Sequence, residues 1–333
     1  MGTEPRARGP RGDAAALTRQ QAKIRLKRRA GEVPLRPPFH LMPPRAVARR
    51  NEMSVVLITG CSTGIGRELA RVCAEAGDRV FATMRKPSMA GDLEELDGVT
   101  ILPLDVTSDE SVSKCVDEVL RSEGRIDVVV NNAGSDNPGA MEDVPFDGLR
   151  ATMETNFFGP IRVCRAVLPT MRAQKSGTIV MVSSMGSIFT GYGSGSYSAS
   201  KRALEAAAEA IQIEGARWGI RVQVARPGYV QTPIGVTSLN NVVSPEGSPY
   251  REVVYQFAKR EETSCAAGEP AIDIAREIRD AYTGGSDDFY VPVTKMARQV
   301  MPWRKGQDDR KILDSVDPEF EWWVKGEDAP TEN

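Results

Sequence analysis

Histidine is almost missing from this chain: His40 stands alone among 333 residues, inside an atypical N-terminal stretch. With its one imidazole outside the globular body, the chain is expected to have neither a His-based triad nor a histidine-rich metal site. Cysteine is scarce as well. Cys61, Cys73, Cys115, Cys164 and Cys265 are odd in number, scattered and without CxxC spacing. That argues against a zinc site and a disulfide framework and fits a reducing compartment. Long apolar runs are lacking too. Val55–Ile58 and Val128–Val130 are far too short to cross a bilayer and read as buried parallel strands.

The globular body also lacks a positive surplus. The chain has 43 basic and 45 acidic side chains, but residues 1–50 hold 13 of the basic and only 3 of the acidic ones, a net +10. The remaining 30 against 42 leave the body at −12, so no broad basic field is there to recruit nucleic acid. Residues 1–52, rich in Arg, Pro and Ala, support three readings: a disordered basic extension, a mitochondrial leader, or translation assigned from too far upstream with Met53 or Met42 as the working start. Glu4, Asp13 and Glu32 weaken the leader reading, and no apolar core of a secretory signal is present. The expected location is the cytoplasm, with mitochondrial targeting as the alternative.

What is present from Met53 onward is alternation. Strands are expected at Val55–Thr59, Arg79–Met84, Thr100–Leu104, Asp127–Asn131, Thr178–Ser183 and Arg221–Arg226, separated by helical stretches such as Ile65–Glu75, Ser108–Ser122 and Tyr197–Trp218. A helix across Phe146–Phe158 runs on toward Met171, and a last strand near Phe289–Val293 closes the sheet. Strands alternating with helices predict an α/β fold, a doubly wound parallel sheet of Rossmann type in a single domain, residues 53–333. Residues 229–268, with Pro, Gly, Asn and Ser clusters, read as an inserted substrate lid with short helices, and residues 294–333, with Trp322-Trp323, as a C-terminal extension.

Four short segments carry chemistry. Thr59-Gly60-Cys61-Ser62-Thr63-Gly64-Ile65-Gly66 places glycines between a strand and a helix, where backbone approaches a pyrophosphate closely and the helix N-terminus offers free N–H groups. The strand that follows ends in Arg85-Lys86 with no acid to hold a ribose diol, which points to a 2′-phosphate and hence NADP(H), with NAD(H) as the alternative. Asn131-Asn132-Ala133-Gly134 follows a further strand, and Ser184 ends another, thirteen residues before Tyr197. Tyr197 and Lys201 are i and i+4 on one helix face, so an ammonium next to a phenol is expected to lower its pKa toward a useful range.

On these residues the chain resembles the short-chain dehydrogenase/reductase family from about Met53 to Thr232, ending in Pro227-Gly228-x-x-x-Thr232. The resemblance implies Tyr197 as general acid/base, Ser184 orienting the substrate oxygen, Lys201 tuning Tyr197 and binding the nicotinamide ribose, and Asn156 anchoring a proton-relay water. It implies cofactor contacts from Gly60, Ser62, Thr63, Gly64, Ile65, Gly66, Arg85, Asp105, Val106, Asn132, Ala133, Gly134, Pro227, Gly228, Val230 and Thr232, and no metal. Asn131 is expected to tie strands together rather than touch the ligand. The stretches Ala82–Arg85 and Asn156–Gly159 look most like the branch with 17β-hydroxysteroid and retinol dehydrogenases. The implied activity interconverts a carbonyl and an alcohol of an apolar small molecule, in a homodimer or homotetramer. Phe189, Tyr192, Tyr250, Tyr255 and Phe257 give the expected pocket an aromatic character, while Asp136 and Asn137 add polarity at its mouth. The rival reading is a non-catalytic dinucleotide-binding redox sensor, which would have no need of a proton-transfer pair.

Overall fold

Val55 and Leu57 face one side of the first strand and Val56 and Ile58 the other, and all four are buried. A strand apolar on both faces needs a helical layer on each side. In the computed structural model, which describes residues 53–314, both layers are present. The strands are β1 (Val55–Thr59), β2 (Arg79–Met84), β3 (Val99–Pro103), β4 (Val128–Asn131), β5 (Gly177–Val182), β6 (Ile220–Arg226) and β7 (Tyr290–Pro292). They form one parallel sheet in the order β3-β2-β1-β4-β5-β6-β7. The doubly wound fold is as the strand–helix alternation predicts.

One apolar layer joins Val56, Ile58, Val80 and Val130 to α1 (Gly64–Glu75) through Leu69 and Cys73. The other joins Leu57, Phe81 and Val129 to α2 (Asp109–Glu123), α4 (Gly159–Gln174) and α5 (Gly195–Gly215). Local signals fix element ends: Ser108 Oγ accepts from Ser111 N at 3.2 Å to start α2, and Gly124, at φ 68°, ends it. All five cysteines are free and buried. Burial pushes the thiols of Cys61, Cys73, Cys115 and Cys164 up to about 12, so they serve packing.

Several elements depart from the sequence expectation. The single helix expected over 146–171 is α3 (Phe146–Met153), a π-helical turn (Glu154–Phe158) and α4, because the extra residue of the wide turn rotates Asn156 inward. The inserted segment holds the short α6 (Ile234–Asn240) but also a sixteen-residue helix, α7 (Arg251–Ala266). Three further helices were not anticipated, the last of them the short Asp309–Asp314. The first, α8 (Ala271–Asp280), buries Ile274, Ala275 and Ile278 against α1, an i, i+1, i+4 pattern readable in the sequence. The second, α9 (Lys295–Lys305), stacks Trp303 on Phe189 with ring centroids 6.0 Å apart. The expectations for residues 1–52 and for Trp322-Trp323 lie outside the described residues.

In this sheet the strand order reverses between β1 and β4. Connections leave these two strands toward opposite sides, so their C-terminal ends open a crevice.

Candidate active site

The turn after β1 forms one wall of that crevice. Gly60 has φ 76°, and a Cβ there would lie 2.8 Å from Ala133 Cα; at Gly66 a Cβ would lie 2.3 Å from Asn132 Nδ2 and 2.6 Å from Gly60 O. Only hydrogen fits at these two points. Asn132 Nδ2 donates to Thr59 O at 2.9 Å and to Gly60 O at 3.1 Å, while the N–H groups of Asn132 and Ala133 donate to Thr59 Oγ1 at 3.0 Å. The strand-tying work expected of Asn131 is therefore done by Asn132. Asn131 instead places its Nδ2 3.5 Å from Cys164 Sγ. No side chain caps the N-terminus of α1. Its first N–H groups are left for a ligand, the arrangement that suits a pyrophosphate.

A cleft of about 540 Å³ runs from this turn to the catalytic residues. At its outer end stand Arg85, exposed, and Asp105 with Val106. The Asp105 carboxylate accepts from Thr107 N at 3.0 Å and Thr107 Oγ1 at 2.8 Å. These bonds, the backbone one foremost, hold it below the usual carboxylate range, with Arg85 adding a smaller pull. The wall at the other side is Pro227, Gly228, Val230 and Thr232, the last packed beside Gly64. N–H groups at a helix start, a cation at the end of β2 and a cradle that a Cβ would fill match a dinucleotide phosphate backbone.

At the inner end Ser184, Tyr197 and Lys201 line the same cleft. The Ser184 hydroxyl accepts from Gly186 N at 3.0 Å and is hydrogen-bonded to the Tyr197 phenol. Its neighbour Ser183 points elsewhere, donating to Glu205 Oε1 at 2.7 Å. Lys201 is buried and donates to Val182 O at 2.9 Å, its ammonium 5.6 Å from the centre of the Tyr197 ring. Here the expected tuning is corrected. Burial raises the Tyr197 phenol well above its ordinary value, with Asp136, Glu261 and Cys265 adding to the rise; the Ser184 bond only offsets it, and Lys201 exerts no comparable pull. Burial takes the ammonium down instead, to about 8, against the pull of Glu205 and Asp136.

Two of the expected residues do not line the cleft. Gly66 stands behind the turn, where it lets Asn132 pack. Asn156 is buried, donating from Nδ2 to Ser135 O at 2.8 Å and Ser200 Oγ at 3.0 Å and accepting from Ser135 N at 2.8 Å. It fixes the chain just after Gly134 relative to α5. The expected aromatic pocket is also only partly realised: Tyr250 and Tyr255 are exposed, and the Phe257 ring fills the space beside Gly191.

Sequence reasoning missed two groups. Glu205 and Arg226 form a buried pair at 2.9 and 2.7 Å, with the guanidinium 3.7 Å over the Tyr290 ring. Glu205 sits one helical turn after Lys201, the one clue available. Glu261 on α7 accepts from the Tyr229 phenol at 2.6 Å, and no motif marks it.

The model of the family described as short chain dehydrogenase matches residues 54–241, over half of the chain. The chain belongs to this family. Among curated relatives of the short-chain dehydrogenases, the chain is similar to 3-ketodihydrosphingosine reductase of Bacteroides thetaiotaomicron, 39% identical over 188 residues, 56% of this chain and 67% of that one. It is also similar to retinol dehydrogenase 8 of Homo sapiens, 35% identical over 243 residues, 67% of this chain and 76% of that one. A solved short chain dehydrogenase from Burkholderia cenocepacia J2315, in complex with NADP, superposes with a TM-score of 0.62 at 25% identity, covering 79% of this chain and 97% of the other. The chain is thus an oxidoreductase of the short-chain NAD(P)-binding type.

Proposed function

We propose that this short-chain dehydrogenase interconverts a carbonyl and an alcohol, most readily a secondary one, with NADP(H) preferred and NAD(H) accepted more weakly. The observation that carries this reading is the convergence of Ser184, Tyr197 and Lys201 at one end of a cleft whose other end is an uncapped helix start. Arg85 at the end of β2, a strand end that itself carries no acid, supports the 2′-phosphate, as does the NADP held by the Burkholderia cenocepacia protein.

When bound, the nicotinamide supplies or accepts the hydride. Tyr197 is placed as the proton donor to the carbonyl oxygen in reduction and the acceptor in oxidation. Its raised pKa keeps the phenol protonated at neutral pH, which suits donation. Gly186 N holds Ser184 Oγ in place, and the Ser184 O–H, which is engaged with the Tyr197 phenol, would turn to the same substrate oxygen and steady a developing alkoxide. Lys201 holds positive charge behind the phenol. Asn156 sets the position of Ser135 and so of the Gly134 edge. Residues 229–268 form the substrate cover, and α9 braces Phe189 through Trp303.

The test is Tyr197→Phe. Turnover should fall by about 10²–10⁴-fold, the size of a lost general acid, while NADPH binding followed by fluorescence stays within a factor of about two. Undiminished turnover would remove the central claim.

A further inference from the structure

The inner end of the cleft carries negative charge that proton transfer and dinucleotide binding leave unexplained. Asp136 lines it, two residues after Gly134. Its Oδ1 is buried and has no hydrogen-bond partner. Its remaining contacts are Ser238 on α6 and the Asn137 backbone. Lys201, the nearby ammonium, bonds to Val182 O instead and interacts with Asp136 only through space. Outside the cleft lining, α7 brings Glu261 near enough to act on Asp136 through space, half-buried and bonded to Tyr229, with Arg260 beside it on the same helix. The Asp136 carboxylate adds to the rise in Glu261 that burial causes, and both act on the Tyr197 phenol. A buried carboxylate oxygen without a donor is costly, and such a group persists where a ligand completes it.

Resting on the reading of the site as a carbonyl–alcohol oxidoreductase, we propose that Asp136, helped by Glu261, recognises an ammonium group close to the reacting carbon, so that the substrate class is the amino alcohol and amino ketone. An ammonium brings three donors and one positive charge, enough to satisfy the Asp136 oxygen and reach Glu261 together. A plain hydroxyl offers one donor and no charge to offset the two carboxylates. In oxidation of such a substrate the C–H hydride would pass to NADP⁺, the hydroxyl proton would pass to the Tyr197 oxygen as the phenol releases its own proton to solvent, and the C–O bond becomes C=O with the ammonium untouched.

The experiment uses the full chain, NADP⁺ and two alcohols that differ only in NH₃⁺ against CH₃: norephedrine and 2-methyl-1-phenylpropan-1-ol. Initial rates of NADPH formation at near-neutral pH give kcat/KM for each, and the ratio is the readout. The wild type should favour the amine by at least about tenfold, the scale of one charge-assisted bond. Asp136→Asn should bring the ratio toward one, and Glu261→Gln, which keeps an acceptor for Tyr229, should lower it partway. A wild-type ratio at or below one overturns the proposal. So does a ratio that neither variant lowers, because Asp136 is then only a counter-charge to Lys201. If the enzyme oxidises neither alcohol, the reading of its activity fails separately. The ammonium is then judged by thermal shift of the NADPH complex: a larger shift with norephedrine supports its recognition, and equal shifts overturn it.

Discussion

The two ends of the cleft are built by different means. The cofactor end is backbone: a turn of glycines, an uncapped helix start and the Asn132 amide holding Thr59 O and Gly60 O, all within two strand–helix junctions. The substrate end is side chains gathered from far apart, with Asp136 after β4, Ser184 after β5 and Tyr197 on α5, and Glu261 on α7 acts on the phenol from outside the lining. Backbone geometry tolerates almost no change in size, whereas a side-chain pocket can be re-cut one residue at a time. The first end therefore fixes what kind of cofactor enters, and the second decides what is reduced.

The comparison breaks most sharply with a methyl group. Gly66→Ala puts a Cβ 2.3 Å from Asn132 Nδ2, so the Asn132 bonds to the turn must yield. Overpacking plus lost buried bonds should cost about 3 kcal/mol of stability, and NADPH affinity should fall at least about tenfold. Gly186→Ala is the counterpart at the other end. Its Cβ would meet Tyr197 Cε1 at 3.1 Å, so turnover should drop while NADPH binding holds. Titration of NADPH fluorescence alongside initial rates separates the two variants. Equal effects on binding and turnover in both would mean that the ends are not independent.

A second substitution sharpens the cofactor end alone. Arg85 is exposed at the end of β2, within reach of a 2′-phosphate and remote from Tyr197. Arg85→Asp should weaken NADPH by about tenfold or more, the scale of a lost charged hydrogen bond, and improve NADH several-fold. Parallel titrations check it. The same loss for both cofactors would make Arg85 a general charge and not a selector.

Legibility followed the same division. The Thr59–Gly66 turn, the strand–helix alternation of a parallel sheet and the Tyr197–Lys201 pair were readable because they rest on contiguous motifs with fixed periods. The thirteen-residue spacing to Tyr197 points to Ser184, and the bond of its neighbour Ser183 to Glu205 gives the physical reason that the two serines differ. The sign of the Tyr197 shift was not readable. It depends on burial and on Asp136, Glu261 and Cys265, and proximity along a helix says nothing of these. The π turn that aims Asn156 inward and the helix carrying Glu261 were likewise hidden, since each acquires meaning only from its tertiary neighbours.

The smallest expected effect isolates the substrate end by proton linkage. Burial raises Asp136 from the ordinary carboxylate value to about 6. Between those two pH values the folded chain holds a proton that the unfolded chain has released, so stability is highest below the window and falls as pH rises through it. Above about pH 6 the charged, half-enclosed carboxylate should cost on the order of 1–2 kcal/mol, the converted shift discounted for partial exposure. Asp136→Asn removes the titration. Its Tm should overtake that of the wild type by about 3–6 °C near pH 7 and converge with it near pH 4. Curves that stay parallel across that range would show that Asp136 carries no buried charge. An ammonium ligand should erase the difference from the wild-type side, since it holds Asp136 ionised at no desolvation cost, so adding norephedrine and NADPH to both proteins turns the pH experiment into a direct comparison of charge supplied by the ligand with charge removed by mutation.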